Sequence, residues 1–472
     1  MVKFFFLLHR YLGIALGLII SLWCLSGFVM MYVQFPDLTN ENQLQGLNDL
    51  DLSSCCVLPN DFSDIPIDRF RIEMMAERPI LRLSSGLYQY TIDITNGEYL
   101  TNIDEETGYA VAGTFANNMG ISGTIKLLGT IDHDQWTIYG GLNPNRPLLH
   151  YRSTDNSATE WYISRINGEV IQMTTARERF WNWAGSVVHW IYPTILRQHT
   201  GAWTQVIIGL SVLGLFLTVI GIYIGLRQFK DRRSGRLSPY RGVMLWHHYT
   251  GLVFGILTLT WLFSGLLSIN PWGTFEGRSF SSEVARIRGG TMGFYQARDL
   301  INNLALDNLP SRTVRLEGGL LNGEPYLLAW RSDGTNTRLN QRTLNPNPLT
   351  EPLFRTLAAR VRPDAAIRSQ GWISEGDAYY YSHHDEKLFP VYRIHYEDGE
   401  RIYLNSISGQ LSFAVDKNRQ WSRWLFLGLH RGDLSELIRS RPLWDLILLP
   451  LLAGVTLGAL TGTWMGLRRL LR

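Results

Sequence analysis

The chain alternates between long uncharged stretches and longer mixed ones. Four stretches contain no charged residue and are 23, 26, 21 and 22 residues long: 11–33, 201–226, 249–269 and 446–467. A helix of about 20 apolar residues crosses the hydrocarbon core of a bilayer, which is about 30 Å thick. The pattern therefore predicts four transmembrane helices and a lipid bilayer around them.

The mixed regions between the spans show strand-like alternation of polar and apolar positions. The alternation is clearest at 87–94 and 391–396, and Asn-Gly and Asp-Gly dipeptides mark turns. Helical patterns occur near 64–77, 295–306 and 351–361. We therefore expect each of the two mixed regions to form a small α+β domain with an antiparallel sheet.

The distribution of charge predicts the orientation of the spans. The loop 227–242 carries six Lys or Arg residues and one acid, and both chain ends are basic. The positive-inside rule then predicts that the loop and both termini are cytoplasmic and that the mixed regions lie on the other side, in the periplasm of a bacterium. The first stretch is too long for a secretory signal and no small-residue cleavage site follows it, so we interpret it as a retained span of an inner-membrane protein.

These patterns divide the chain into ten segments. In order they are the first span (1–35), the first periplasmic α+β domain (36–176), a juxtamembrane helix (177–200), the second span (201–226), the basic cytoplasmic loop (227–242), the third span (243–270), the second periplasmic α+β domain (271–415), a second juxtamembrane helix (416–442), the fourth span (443–467) and a basic cytoplasmic tail (468–472).

The two halves of the chain are similar to each other. At a shift of 238 residues the first span matches the third at seven of nineteen positions, and at a shift of 241 the second matches the fourth. The first comparison pairs His9 with His247, and the second pairs His189 with His430. Both halves start and end on the same side of the membrane, so the sequence predicts a tandem duplication with a pseudo-two-fold axis along the membrane normal.

This symmetry places the two histidines of each pair at equal depth. His9 and His247 lie at the cytoplasmic ends of their spans, whereas His189 and His430 lie just before the spans that follow them on the outer side. Two imidazoles that face each other across a helix bundle suit a haem iron ligated from both sides. The two pairs predict two haems, one in each leaflet, and the chain has no Cys-x-x-Cys-His motif, so they are expected to be haem b.

Other interpretations of these residues remain open. Histidines at a membrane interface also serve packing, and Gly-x-x-x-Gly spacing is also found where helices only touch. His248 adjoins His247 and is a second candidate for the ligand, and His199 lies at the mouth of the second span without a counterpart in the second half. The glycines that would admit either a porphyrin or another helix are Gly13, Gly17, Gly251 and Gly255.

Composition narrows the classes of function. A net charge of +3 over 472 residues argues against nucleic acid as a partner, and three Cys exclude a disulfide scaffold. The predicted cytoplasmic sequence is too short for a flavin domain and has no dinucleotide-binding glycine motif. A redox protein of this kind would take electrons from a quinol or from a separate reductase.

Several motifs resemble those of the PepSY-associated transmembrane proteins. They are the His-Arg-Tyr-Leu-Gly run at 9–13 followed by Ser26-Gly27, the histidines before the second and fourth spans, and the strand and turn at 403–409. The resemblance covers essentially the whole chain, although 161–164 lacks the usual acidic residue. It implies an inner-membrane oxidoreductase that reduces ferric siderophores, Fe(III) to Fe(II), on the periplasmic side during iron uptake.

A second group of residues is a candidate for contact with this substrate: His383, His384, His395 and Tyr380. Two further classes of function remain open, namely a non-enzymatic partner in siderophore uptake and a PepSY-type binding or regulatory membrane protein, both without haem. We expect a monomer.

Overall fold

A computed structural model describes residues 2–60, 63–86, 88–230, 237–382 and 387–471. The α-helices in these ranges are α1 (Val2–Met30), α2 (Asn40–Gln45), α3 (Glu105–Asn118), α4 (Ala176–Asn182), α5 (Thr194–Arg197), α6 (Thr200–Gln228), α7 (Val243–Ser268), α8 (Ser281–Arg288), α9 (Phe294–Asn302), α10 (Glu351–Val361), α11 (Lys417–Ser422), α12 (Leu429–Arg431), α13 (Glu436–Arg439) and α14 (Leu443–Leu470). Two π-helical segments are Trp183–Val187 and Arg423–Gly428, and the 3-10 turns are Gly140–Asn145, Pro271–Gly273 and Leu306–Asn308.

The strands in the same ranges are β1 (Pro66–Ile67), β2 (Arg69–Met75), β3 (Arg78–Ser85), β4 (Tyr88–Asp93), β5 (Glu98–Tyr99), β6 (Ile125–Ile131), β7 (Leu148–Ser153), β8 (Glu160–Ser164), β9 (Val170–Thr174), β10 (Met292–Gly293), β11 (Thr313–Leu321), β12 (Glu324–Arg331), β13 (Asn336–Leu339), β14 (Ile367–Ile373), β15 (Val391–Tyr396), β16 (Arg401–Asn405) and β17 (Leu411–Val415).

Four helices, α1, α6, α7 and α14, are long and apolar enough to cross a membrane. Helices α1 and α7 each pack against both α6 and α14, so the four close into a bundle. Large apolar side chains stay exposed on its outside, such as Val253 at 71% and Ile256 at 70%. Lipid solvates such a surface, whereas water does not. The prediction of four helices able to span a membrane is confirmed.

The predicted juxtamembrane helices at 177–200 and 416–442 are wrong as continuous elements. The first is divided into α4, a π-helical segment and α5, and the second is divided in the same way. Ile191 and Gly432 adopt positive φ angles of 48° and 67°. A right-handed helix cannot continue through such a residue, so the chain turns back at these points.

The sheets lie at the end of the bundle where α1 and α7 end and α6 and α14 begin. Strands β6 to β9 form a four-stranded antiparallel sheet, and β14 to β17 form a similar one. A seven-stranded sheet has the order β13-β12-β11-β2-β3-β4-β5, and β1 pairs with β10. The structure thus has separate β-sheet units beside an apolar helix bundle, as the sequence predicts.

The seven-stranded sheet joins the two halves of the chain. Strands β2 and β11 pair antiparallel, with Ile72 opposite Leu316 and Glu73 opposite Arg315. The predicted domains 36–176 and 271–415 therefore each contain one four-stranded sheet, and both contribute strands to the seven-stranded central sheet. Similarity between repeats shows which segments resemble each other, but it does not show which strands pair.

The helical pattern near 64–77 is wrong, because these residues form β1 and β2. Along β2, Phe70 and Ile72 are fully buried in the apolar core, while Arg71 and Glu73 are buried on the opposite face. This period of two is the signature of a strand. Elsewhere the sequence pattern is right: β15 and α10 have the predicted bounds of 391–396 and 351–361.

A buried ion network lies where the halves meet in the central sheet. Glu73 accepts hydrogen bonds from Arg82 at 2.6 Å and from Arg315 at 2.7 Å, and Arg71 pairs with Glu169 at 3.0 Å. Burial alone would raise the pKa of Glu73, but the charges of Arg315, Arg71 and Arg82 hold it well below its usual range. Arg315 belongs to the second half, so this carboxylate connects the two halves.

We expect Glu73→Gln to destabilise the protein by about 3–5 kcal/mol near neutral pH, because it leaves two buried guanidinium groups without their anion. The folded-state pKa of Glu73 is lowered, so its contribution is complete above the unfolded pKa of about 4.3 and is lost as the pH falls through the folded value. The difference between wild type and variant in urea unfolding should therefore shrink below about pH 4.

The matched control for this prediction is Glu351→Gln. Glu351 pairs with Arg355 four residues along α10, and both side chains are largely exposed. Such pairs contribute about 0.3–0.5 kcal/mol. Equal effects of the two substitutions would show that the network at Glu73 is not a stabilising junction.

Candidate functional site

The structure brings the histidines of each predicted pair together. The ring centroids of His9 on α1 and His247 on α7 lie 6.2 Å apart. The ring centroids of His189 and His430 lie 6.0 Å apart. The first pair lies inside the bundle near the beginnings of α1 and α7, and the second pair lies at the end of the bundle that carries the sheets. We call them the inner pair and the outer pair.

Backbone carbonyls of the neighbouring helices hold the inner pair. His9 donates a hydrogen bond from Nδ1 to the carbonyl oxygen of Leu217 on α6, at 3.2 Å. His247 donates from Nδ1 to the carbonyl oxygen of Gly458 on α14, at 3.0 Å. Leu217 and Gly458 are 241 residues apart, which is the shift that aligns the second and fourth spans.

The outer pair is held in the same way. His189 donates from Nδ1 to the carbonyl oxygen of Trp23 at 3.1 Å, and His430 donates to that of Trp261 at 3.2 Å. A serine hydroxyl three residues further along α1 or α7 lies 3.1 Å from each Nδ1. Each of these histidines lies in a short helical segment beside the bundle and reaches into it toward the other half's histidine.

These hydrogen bonds determine which ring nitrogen carries the proton. A carbonyl oxygen only accepts, so Nδ1 of each of the four imidazoles must be protonated and Nε2 is the nitrogen with the free lone pair. Histidines that bind metals use this arrangement, in which one nitrogen binds the metal while the other donates to a carbonyl or carboxylate. The carbonyl contact therefore prepares Nε2 of each ring as a ligand atom.

The spacing within each pair fits one metal ion between two imidazoles. A metal–imidazole bond is about 2 Å long, so two rings that share one ion place their centroids about 6 Å apart. Among the described residues, no group of three or more His, Cys, Asp or Glu side chains could hold a bare ion. A haem iron already has four ligands from the porphyrin and requires only two axial ones. The residues present fit a haem.

A π-helical segment precedes each histidine of the outer pair. Trp183–Val187 ends two residues before His189, and Arg423–Gly428 ends two residues before His430. A π-helical turn inserts an extra residue into a helix and rotates the side chains that follow, and such turns are frequent at functional sites. Neither segment could be predicted from the sequence, because the hydrophobic pattern does not distinguish a π turn from an α turn.

Glycines on the neighbouring helices make room for the inner pair. A Cβ added at Gly221 would lie 2.8 Å from Cε1 of His9, and one added at Gly462 would lie 2.9 Å from Cε1 of His247. Real Cβ atoms do not approach other atoms so closely. The two imidazoles therefore fit against α6 and α14 only because these positions have no side chain.

The four glycines singled out in the sequence fall into two groups. Gly17 and Gly255 lie in close helix contacts, because an added Cβ would lie 2.9 Å from Thr463 or from Ile222. Gly13 and Gly251, one turn after His9 and His247, have no other atom within 4 Å of an added Cβ. Helix packing therefore explains the glycines at positions 17 and 255. Gly13 and Gly251 instead border open space beside the inner pair.

A cavity of about 1120 Å³ surrounds the outer pair and extends toward the sheets. Both histidines line it, together with Trp23 and Trp261 from the bundle and residues of the sheet region that include Tyr381. Ligand sites in proteins usually have volumes of about 300–1,000 Å³. The cavity is therefore large enough for a cofactor and for part of a second molecule beside it.

Two further candidate histidines are placed differently. His248 has both ring nitrogens engaged, Nδ1 with the Ser238 hydroxyl at 2.8 Å and Nε2 with the Gly225 carbonyl at 2.9 Å. It thus links the later part of the basic loop to α6, and the geometry favours His247 as the ligand. His199 is exposed at the start of α6 and makes no capping hydrogen bond with its side chain.

The structure describes two of the four candidate substrate-contact residues, His395 and Tyr380. His383 and His384 lie outside the described residues. His395 lies half-buried on β15, where burial and the nearby charges of Arg401, Arg368 and Arg393 lower its pKa. Tyr380 is buried, being 3% exposed, and it stacks on Tyr403 and shares a hydrogen bond with Ser412 at 3.1 Å. The inward packing of Tyr380 could not be predicted from the sequence, because no periodic pattern surrounds this residue.

The neighbouring tyrosine lines the cavity instead. The Tyr381 hydroxyl donates to the carboxylate of Asp433, which is buried and also paired with Arg423 at 3.2 Å. Burial and the hydrogen bond to Asp433 raise the pKa of Tyr381, so it stays a neutral phenol. This contact could not be predicted from the sequence, because Tyr381 and Asp433 are 52 residues apart.

No protein-family model and no curated protein matches the chain. The functional conclusion therefore depends on the geometry of the four histidines and of the cavity.

We expect Gly221→Ala and Gly462→Ala to lower stability by about 1–3 kcal/mol each, because the added methyl group displaces a buried imidazole. Gly209→Ala on the same helix as Gly221 is the control, since an added Cβ there meets nothing within 4 Å. It should be neutral or slightly stabilising, because alanine favours a helix over glycine. Thermal unfolding of the detergent-solubilised variants measures both effects, and a neutral Gly221→Ala would contradict the close fit.

Proposed function

We propose that the protein is an inner-membrane, di-haem ferric-siderophore reductase. In this proposal the inner and outer pairs each hold one haem b, and an electron passes through them to a ferric siderophore on the periplasmic side. The observation that carries the proposal is the repeated arrangement of four imidazoles, in two facing pairs, each with Nδ1 bonded to a backbone carbonyl.

The position of the pairs supports transport of electrons across the membrane. His9 is separated along α1 by 17 residues from Ser26, which contacts His189. At 1.5 Å per residue, this is about 25 Å along the helix axis. The two pairs thus lie near opposite sides of a hydrocarbon core of about 30 Å, one in each leaflet.

A haem held by the two imidazoles of each pair would supply single-electron transfer. The chain's own residues hold the imidazoles in one orientation through carbonyl contacts, and the apolar bundle keeps water away from the inner pair. At the outer pair, the cavity admits a second molecule from the side of the sheets. Fe(III) in a siderophore is held by hard oxygen donors, and addition of one electron weakens that grip.

The remaining elements of the proposal follow from the sequence. The matched hydrogen bonds at His9 and His247, and at His189 and His430, support a tandem duplication with a pseudo-two-fold axis along the membrane normal. The basic loop and the basic termini support a location of the inner pair in the cytoplasmic leaflet of the membrane. A quinol or a separate reductase then supplies the electrons, and the resemblance to PepSY-associated proteins supports the substrate class.

Absorbance of the purified protein tests the cofactor. We expect a Soret band and, after reduction with dithionite, the α band of a b-type haem, with two haems per chain by pyridine extraction. His9→Ala and His430→Ala should each remove about half of the haem, whereas His248→Ala should keep both. Gel filtration and circular dichroism verify that each variant is folded.

The outcomes of this experiment are distinct. A colourless, folded protein without extractable haem would exclude the proposed function. Full haem content in both His9→Ala and His430→Ala would refute the ligand assignment. Loss of haem in His248→Ala, with full haem in His247→Ala, would move the inner ligand to His248.

Anaerobic reoxidation tests the substrate. After reduction with dithionite and removal of the excess, a ferric siderophore should reoxidise the wild-type haems, and a chelator should trap Fe(II). His9→Ala, which keeps the outer pair, should still be reoxidised, whereas His430→Ala should react at least about tenfold more slowly, equivalent to about 1.4 kcal/mol in the barrier. Equal rates for the two variants would show that the outer pair is not the exit point for electrons.

A further inference from the structure

The cavity beside the outer pair has an excess of positive charge. Three arginines line it, Arg197, Arg431 and Arg441, together with one acidic residue, Asp37. Arg441 has partners of its own, since it donates to the Met31 carbonyl at 2.6 Å and lies 3.7 Å from Asp445. The other two arginines are different.

Arg197, from the first half, has no carboxylate partner among the described residues. It donates to the Thr200 hydroxyl at 2.6 Å, and its guanidinium lies 5.1 and 4.9 Å from the ring centres of Tyr192 and Trp203. Its Nε is buried and has no hydrogen-bond partner. The aromatic rings fix the position of the guanidinium but do not neutralise its charge.

Arg431, from the second half, directly follows His430. Its guanidinium lies 5.8 Å from the ring centre of Phe426, and no hydrogen bond or ion pair joins it to the described part of the chain. Its side chain is exposed, and it lines the cavity. The nearby carboxylate of Asp433 is engaged by Tyr381 and Arg423.

Neither guanidinium group forms a salt bridge with the described residues, so each can pair with an anion that enters the cavity. The planar guanidinium group forms two parallel hydrogen bonds with a carboxylate and is the side chain best suited to bind one. We propose that Arg197 and Arg431 form a carboxylate-binding subsite that holds the two propionates of the haem ligated by His189 and His430. This inference rests on the proposed function, and it assigns one propionate to an arginine from each half.

The test uses full-length His9→Ala protein, in which the outer haem is the one that remains. Into it we introduce Arg197→Gln and Arg431→Gln, singly and together, and measure the rate of haem transfer to an excess of a haem-scavenging apoprotein. Each substitution should accelerate haem release about tenfold, since a hydrogen bond to a charged group contributes at least about 1.4 kcal/mol. Arg360→Gln is the control, because Arg360 is exposed and bonds Asn322 on the protein surface.

Haem dimethyl ester, in which both propionates are neutral, separates charge pairing from packing. Reconstituted with the ester, the arginine variants and their parent should release it at the same rate. An equally large effect of the substitutions on the ester would overturn the proposal, because the arginines would then act only through packing. Thermal unfolding of the haem-free proteins identifies any variant that is simply unstable.

Two further results would also overturn the subsite assignment. If the variants release haem at the parental rate but lose saturable binding of an anionic ferric siderophore, the arginines bind substrate rather than propionate. If the parent contains no haem at all, the proposed function fails and the subsite with it. A parent that retains haem, with variants that release it no faster, contradicts only the role of Arg197 and Arg431.

Discussion

The architecture depends on a requirement of buried imidazole: Nδ1–H must find an acceptor where no water is available. An unpaired polar group in such surroundings costs about 2–7 kcal/mol. Carbonyls of α6 and α14 accept from the inner pair, and carbonyls of α1 and α7 accept from the outer pair. These contacts join different elements, so they fix how the four long helices pack against each other and against the two short helical segments that carry His189 and His430. They also leave Nε2 of each ring free.

Small residues make those contacts possible. Gly221 and Gly462 let the imidazoles of the inner pair lie against α6 and α14, while Gly17 and Gly255 let the helices themselves approach. The halves are alike in these features but not in the cavity around the outer pair. Tyr381 of the second half borders that cavity and donates a hydrogen bond to Asp433 behind it, so the histidine pairs are matched between the halves while the lining of the cavity is not.

The features that could be predicted from sequence are those encoded locally. Uncharged stretches predict the four long helices, and alternation predicts β15, because both patterns report the environment of consecutive residues. The approach of His9 to His247 could be expected from the repeat, since matched positions lie at equal depth. The presence of Arg197 and Tyr381 in one cavity with the outer pair could not, because it depends on contacts between segments that are distant in the sequence.

The errors have equally specific causes. The pattern at 64–77 predicts a helix although the residues form β2, because both faces of this strand are buried, with Phe70 and Ile72 on one face and Arg71 and Glu73 on the other. The sequence predicts continuous juxtamembrane helices because nothing in it indicates the positive φ angle at Ile191, a β-branched residue that rarely adopts one. The shared central sheet was missed because the similarity of two repeats does not determine which strand edges meet.

The shared sheet has a consequence for the synthesis of the protein. Strand β2 is made about 240 residues before its partner β11, as Glu73 and Arg315 are 242 positions apart. At translation rates of about 5–20 residues per second, the edge of β2 waits unpaired for about 12 to 50 s. Charged side chains on an open edge discourage pairing with the wrong strand. Arg69, Arg71 and Glu73 thus protect the nascent chain against aggregation before they take part in the finished fold.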